Sequence, residues 1–280
     1  MTADLANSAC RAVGASRPTL LAEGIACDIA LPEGLDEATA LSRIGQAIAG
    51  AAVDIAVQPV EGRRRKLLIA DMDSTMIDQE CIDELADLVG VKEHVAAITA
   101  RSMNGELPFE PALRERVALL KGLPETVVAD VIASRITLAS GGRALVATMR
   151  ANGAWTALVS GGFTVFTDPI ARMLGFDENS ANILDVADGR LVGTVAEPIL
   201  GRAAKAEALR RIAASLGIST DEAIAVGDGA NDLDMLALAG AGVALHAKPA
   251  VAAQARIRIA HGDLTALLYL QGYRRDEFRA

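Results

Sequence analysis

The stretch KLLIADMDST, residues 66 to 75, constrains the fold more than any other part of the chain. Leu67-Leu68-Ile69-Ala70 is an unbroken apolar run, which suits a strand buried on both faces. The run then stops on two carboxylates, Asp71 and Asp73, followed by Ser74 and Thr75. In an open α/β sheet, ligands bind beyond the carboxyl ends of the strands, so chemistry is expected at this terminus. Taken alone, an aspartate at a strand end is more often a turn former or a helix cap.

Similar runs recur at residues 155–160, 222–227 and 242–245, with a weaker one at 257–260. Amphipathic stretches separate them, such as 205–217, where Gly217 reads as a helix stop. Strands alternating with helices predict an α/β class with a Rossmann-like parallel sheet. Two regions break the alternation. Residues 79–150 show only helical spacing: Ile82, Leu85, Leu88 and Val89, then Phe109, Leu113, Val117 and Leu120. They read as a helical cap inserted into a core of residues 66–78 plus 151–280. Residues 181–198 carry Asp188-Gly189 between β-prone runs, a hairpin signal. Residues 1–62 hold a helix-like 37–50 and a strand-like 53–59, and read as a small N-terminal α+β domain with no nameable chemistry.

Composition narrows the function. At 280 residues the chain can bury one large core and one small one. Only 3% of residues are aromatic, so the core must be mainly aliphatic. A net charge of −9 argues against a nucleic-acid partner. The basic run Arg63 to Lys66 reads as a solvated linker. Cys10, Cys27 and Cys81 show neither metal-ligand spacing nor a disulfide pattern, which fits a reducing cytoplasm. No apolar stretch is long enough to span a bilayer, and the N-terminus reads as no signal peptide. A homodimer is left open as the assembly.

Three strand ends carry polar or glycine-rich turns: residues 71–75, Ser160-Gly161-Gly162, and Gly227-Asp228-Gly229-Ala230-Asn231-Asp232. If their strands are neighbours, Asp71, Asp73, Asp228 and Asp232 crowd together. Such an oxygen-rich cluster suits a hard divalent cation, Mg²⁺ above others. Ser160 and the glycine amides offer donors to an anion, and Lys205 can add a positive charge. Together these are the parts of a phosphate site.

The helical insert adds a clue. Phe109 and Arg116 share the helix face that carries Leu113 and Val117. An arginine there either snorkels at the stripe's edge or clamps a carboxylate in a cleft. Glu80 reads by itself as an acid near a helix start. His94, His246 and His261 stand alone and suggest surface or cap positions. Trp155 reads as core, and Asp185 and Asp188 as shaping the hairpin.

Residues 71–75 resemble the DxDx[TV] signature of the haloacid dehalogenase superfamily. LVSGG, Lys205 and GDGANDLDM resemble its second, third and fourth motifs. With the helical insert (cap type C1) and SMNGELPFEPALRERVALLKGL, the chain is similar to the phosphoserine phosphatase family from about residue 66 to 265. That resemblance implies a Mg²⁺-dependent hydrolase acting on O-phosphoserine, in the last step of serine formation. It implies Asp71 as nucleophile and Asp73 as general acid and base. Metal ligands would be Asp71, the Asp73 carbonyl and Asp228, with Asp232 supporting them from behind. Ser160, Gly161, Lys205 and Asn231 would attend the phosphate. Glu80 would face the substrate ammonium, Arg116 its carboxylate, and Met103 and Phe109 would pack over it. Residues 1–62 are only vaguely similar to ACT-like domains, and no ligand site is carried over to them. Three alternatives share the sequence features: a phosphotransferase to another alcohol such as homoserine, a phosphatase for another small phosphomonoester, and an amino-acid sensor with a vestigial core.

Overall fold

A computed structural model describes all 280 residues. In chain order, α1 (Ala3–Val13), β1 (Thr19–Ala22), β2 (Ala26–Asp28) and α2 (Glu37–Ala47) precede β3 (Leu67–Ala70). Helices α3 (Cys81–Asp87), α4 (Lys92–Met103), α5 (Phe109–Ala118) and α6 (Val127–Arg135) follow, and then α7 (Gly142–Ala151). Next come β4 (Trp155–Phe163), α8 (Thr164–Leu174), β5 (Glu178–Asn182) and a hairpin of β6 (Leu184–Ala187) and β7 (Arg190–Val195). The chain continues through α9 (Arg202–Leu216), β8 (Ala223–Gly227), α10 (Leu233–Leu238), β9 (Ala241–Leu245), α11 (Pro249–Ala252), β10 (Ile257–Ile259) and α12 (Ala266–Leu270).

Six strands form one parallel sheet in the order β10-β9-β8-β3-β4-β5. All four residues of β3 are fully buried, because helices cover both faces. Leu68 and Ala70 point into one core with α7, α8 and α12; Leu67 and Ile69 point into the other with α9, α10 and α11. This split follows from the two-residue period of a strand. Strand order reverses at β3, so the carboxyl ends of β3, β4 and β8 open onto one crevice. The helices α3–α6 stand over that crevice between β3 and β4 in the chain. No helix is long and apolar enough to cross a membrane.

Several expectations need correction. The strand-like 53–59 pairs with nothing. It runs extended, with Val53, Ile55 and Val57 packed on the α1–α2 cluster and Ala56 on the main core. Asp54 holds it there by accepting N–H bonds of 2.8–3.3 Å from Ala260, His261 and Gly262. The basic run is a clasp rather than a free linker. Arg63 pairs with Asp28, Arg64 with Glu277 while stacking on Tyr273, Arg65 donates to the Asp221 carbonyl, and Lys66 pairs with Glu222. Trp155 is 38% exposed, since it is the first residue of β4, at the end of the strand that meets solvent. Leu88 and Val89 lie beyond the end of α3 and are exposed. The β6–β7 hairpin does turn at Asp188 and Gly189, both with positive φ.

Candidate active site

The loop after β3 is built by its own residues. The ladder continues one residue past the strand, as the Asp71 N–H donates to the Val226 carbonyl at 3.0 Å. The Met72 carbonyl then takes the N–H groups of Met76 and Ile77, which curls the chain into a turn. Ser74 sits at φ 54°, in the left-handed region that costs a non-glycine residue on the order of 1 kcal/mol. Its surroundings hold it there: its N–H donates to the Gln79 carbonyl and its hydroxyl to Glu80 Oε1 at 2.6 Å. The result aims Glu80 into the crevice and lets Asp73 Oδ1 take the Cys81 N–H, at 2.7 Å, at the start of α3.

The second turn departs from expectation in form. Strand β4 runs on to Phe163, but its pairing with β5 breaks between Val159 and Phe163. Ser160-Gly161-Gly162 occupy that break. The Ser160 hydroxyl accepts from the Gly162 N–H at 2.8 Å and reaches Asp73 Oδ2 at 3.3 Å. Glycine keeps these positions clear of their neighbours. A Cβ on Gly161 would stand 2.8 Å from the Phe109 ring, and one on Gly162 2.8 Å from Asp73 Oδ2. Asn182 braces the segment from below, donating to the Gly161 carbonyl at 2.8 Å while accepting the Leu200 N–H.

Beneath the third turn lies Lys205, in the first turns of α9 and fully buried. It pairs with Asp71 Oδ1 at 2.7 Å and Asp232 Oδ1 at 2.6 Å. Its place is therefore under the nucleophile candidate and outside the crevice lining. Asp232 is saturated, because its other oxygen takes the N–H groups of Asp228 and Gly229. Asp71, Asp73, Glu80, Met103, Phe109, Arg116, Ser160, Gly161, Asp228 and Asn231 all border one cleft. Phe109 lies over both Gly161 and Gly201.

Electrostatics follow from crowding. Burial pushes the Asp71 carboxyl well above the ordinary aspartate range; Asp232 adds to this and Lys205 opposes it. Asp73 is raised by burial against the pull of the Cys81 amide. Burial, then Asp73 and Asp228, lift Glu80 well above its usual value. Asp228 is raised to about 6, by burial first and Asp232 second, with Lys248 opposing. Burial works against the Lys205 charge, yet Asp232 and Asp71 outweigh it and raise the ammonium.

The oxygen set fits a hard divalent cation. Oxygens of Asp71, Asp228 and Asp232 lie within 4.8 Å of one another. Asp232 is already committed to Lys205 and two amides, which leaves Asp71 and Asp228 as the ligands with room. Asp228 Oδ2 is buried and makes no hydrogen bond; Lys248 Nζ approaches it only to 3.4 Å. A buried carboxylate oxygen left unsatisfied in this way is the expected mark of a cation seat.

Arg116 does not snorkel. It is 3% exposed, and no carboxylate lies within salt-bridge distance of it. Several contributors were not anticipated from sequence. Thr75 donates to Asp228 at 3.3 Å, Thr99 touches Arg116, and Asn182 braces the glycines. Thr99 carries one usable signal: it is a polar residue on the face of α4 that buries Val95, Ile98 and Met103. The three histidines are exposed and away from the cleft.

Residues 68–237 match the model of the haloacid dehalogenase-like hydrolases. A phosphoserine phosphatase of Streptomyces coelicolor is 45% identical over 230 residues, 81% of this chain. The chain spans 56% of that relative's length. A solved structure of a phospho-aspartyl intermediate analogue of phosphoserine phosphatase is 42% identical, with TM-score 0.70, covering 73% of this chain and 98% of that one. An unliganded probable phosphoserine phosphatase from Vibrio cholerae is 32% identical, with TM-score 0.76, covering 99% of this chain and 85% of that one. On the family match over most of its length and on these relatives, the chain belongs to the haloacid dehalogenase-like hydrolase family.

Proposed function

We propose that this chain hydrolyses O-phospho-L-serine to L-serine and phosphate, with Mg²⁺ as its cation. The observation that carries the reading is one cleft holding Asp71 and Asp73 on its floor, with Glu80 and an unpaired Arg116 on its lid. A base for a carboxylate, an acid for an ammonium and an apolar cover from Met103 and Phe109 suit a small zwitterionic phosphomonoester. Sugar phosphates lack both charges. In this reading the cap of residues 79–150 narrows to helices α3–α6, because α7 packs into the core of residues 66–78 plus 151–280, and residues 1–62 form a small domain whose Asp54 is tied to that core. Three free cysteines suit the cytoplasm.

Asp71 adds to phosphorus as the bond to the serine oxygen breaks, giving an aspartyl phosphate. Asp73, whose hold on a proton burial strengthens, gives that proton to the leaving oxygen. Asp73 then takes a proton from the water that adds to phosphorus, and the bond to Asp71 breaks. Ser160, Gly161 and Asn231 donate to the phosphoryl oxygens. Lys205 orients Asp71 from below and keeps its charge compensated. Bound by Asp71, Asp228 and the Asp73 carbonyl, the cation would screen phosphoryl charge from the incoming carboxylate. Residues 74 and 80 close the far side, where the Ser74 hydroxyl fixes Glu80.

Release of serine and phosphate in equal amounts from phosphoserine, stopped by chelation and restored by Mg²⁺, is the expected result. Phosphothreonine and sugar phosphates should turn over at least about 100-fold less efficiently. Equal rates on sugar phosphates, or phosphorylated alcohol in place of free phosphate when homoserine is added, would contradict it.

A further inference from the structure

Arg116 presents a problem that its neighbours solve. A guanidinium is costly to bury without a counter-charge. The nearest solution would be a direct ion pair; burial opposes its charge while Glu80 and then Asp83 on α3 favour it, and of these only Asp83 is linked to it through a shared hydroxyl. Such a pair would occupy the planar fork that a ligand carboxylate needs. The structure shows another arrangement. The Thr99 hydroxyl, on α4, stands between the two. It accepts an N–H from Arg116 Nη1 at 3.0 Å and lies 2.8 Å from Asp83 Oδ1. The hydroxyl has one proton, and the Val95 carbonyl at 3.0 Å competes for it. The ionised acceptor is the stronger one, so the proton goes to Asp83. Arg116 Nε is tied to the Ala112 carbonyl of its own helix at 3.0 Å. Two of the five guanidinium N–H groups are thereby fixed, and the Nη2 edge keeps no protein partner on the cleft.

We propose that Thr99 and Asp83 are positioning residues, which hold the Arg116 fork open for the carboxylate of an amino-acid phosphomonoester. Asp83 supplies negative charge behind the guanidinium, and Thr99 transmits it without letting the two side chains pair. Three cap helices thus meet at one hydroxyl: α3 through Asp83, α4 through Thr99 and α5 through Arg116. Removing the hydroxyl frees Arg116 to collapse onto Asp83 and leaves the substrate carboxylate without its fork. This rests on the phosphoserine reading and refines it.

The test uses two substrates that differ only by the carboxylate, phosphoserine and phosphoethanolamine, with the full-length protein. In Thr99→Val the KM for phosphoserine should rise roughly 10- to 100-fold with kcat within about twofold. Its kcat/KM for phosphoethanolamine should stay at the wild-type value. Thr99→Ser, which restores the hydroxyl, should recover wild-type KM, and Asp83→Asn should fall between. Thermal melts of both Thr99 variants report whether the cap still folds, and Thr99→Ser keeps the question answerable if the valine variant does not. A wild type without preference for phosphoserine would overturn the substrate reading and this proposal with it. A wild type with that preference, lost in Arg116→Ala but retained in Thr99→Val or absent from Thr99→Ser, would overturn the proposal alone. So would equal losses on both substrates.

Discussion

On the floor of the cleft, Lys205 divides its charge between Asp71 and Asp232; on the lid, Arg116 meets no carboxylate at all. The floor comes from strand ends whose positions the parallel sheet fixes, and its groups are largely bonded to one another. The lid comes from helices, and its charged groups are left facing the cleft. Floors of this kind serve a reaction common to many phosphomonoesters, since they answer only to the phosphoryl group. A lid with an unpaired cation and a separate acid answers to the rest of the molecule. In the proposed function this difference separates rate from selectivity by region, so each half should be breakable without the other.

The largest effect should come from the floor. Asp71→Asn removes the proposed nucleophile and should lower kcat by about 10⁴-fold or more on every substrate, measured as phosphate release. Its melting temperature should hold or rise, because a crowded buried charge is gone. Next is the lid: Arg116→Ala should lower kcat/KM for phosphoserine about 10²- to 10³-fold while phosphoethanolamine changes little. If both substrates suffer alike, the division between floor and lid is wrong.

Lys205→Met tests the internal pairing of the floor. It leaves Asp71 and Asp232 buried without a cation and should cost about 3–5 kcal/mol in urea unfolding. Partial recovery is expected on adding Asp232→Asn, which removes one of the stranded charges. The smallest effect concerns pH. Asp228 has its carboxyl raised to about 6 in the folded, cation-free protein, above its ordinary value. A raised carboxyl contributes stability below its unfolded value and loses that contribution as pH rises through about 6. Cation-free protein should therefore weaken across that window, and the divalent cation should restore it. Conversely, cation affinity by calorimetry should fall as pH drops below about 6, with proton uptake on release.

The parts of this molecule that sequence displays are the local ones. Each strand-end turn is contiguous, so Asp71 and Asp73, Ser160 with its glycines, and Asp228 through Asp232 can be read without knowing the packing. Their convergence follows from parallel strand order alone. What stayed hidden depends on contacts between distant elements. Lys205 reads as a free cation near a phosphate, but the docking of α9 puts it beneath Asp71. Thr99 looks like an ordinary helical residue until α5 brings Arg116 beside it. Strand β5, Glu178–Asn182, is too polar to announce itself, because an edge strand gains its order from pairing more than from burial. Residues 53–57 have strand-like alternation yet no partner, since alternation reports two faces in different environments and not hydrogen bonding.

The central claim is that Asp71 becomes covalently phosphorylated. Acid quenching during turnover of phosphoserine, followed by peptide mapping by mass spectrometry, reads this directly. The expected result is one added phosphoryl group on the peptide that contains Asp71, absent from the Asp71→Asn protein. A phosphoryl group on another residue, or steady turnover with none on Asp71 even when the second step is slowed, would contradict it.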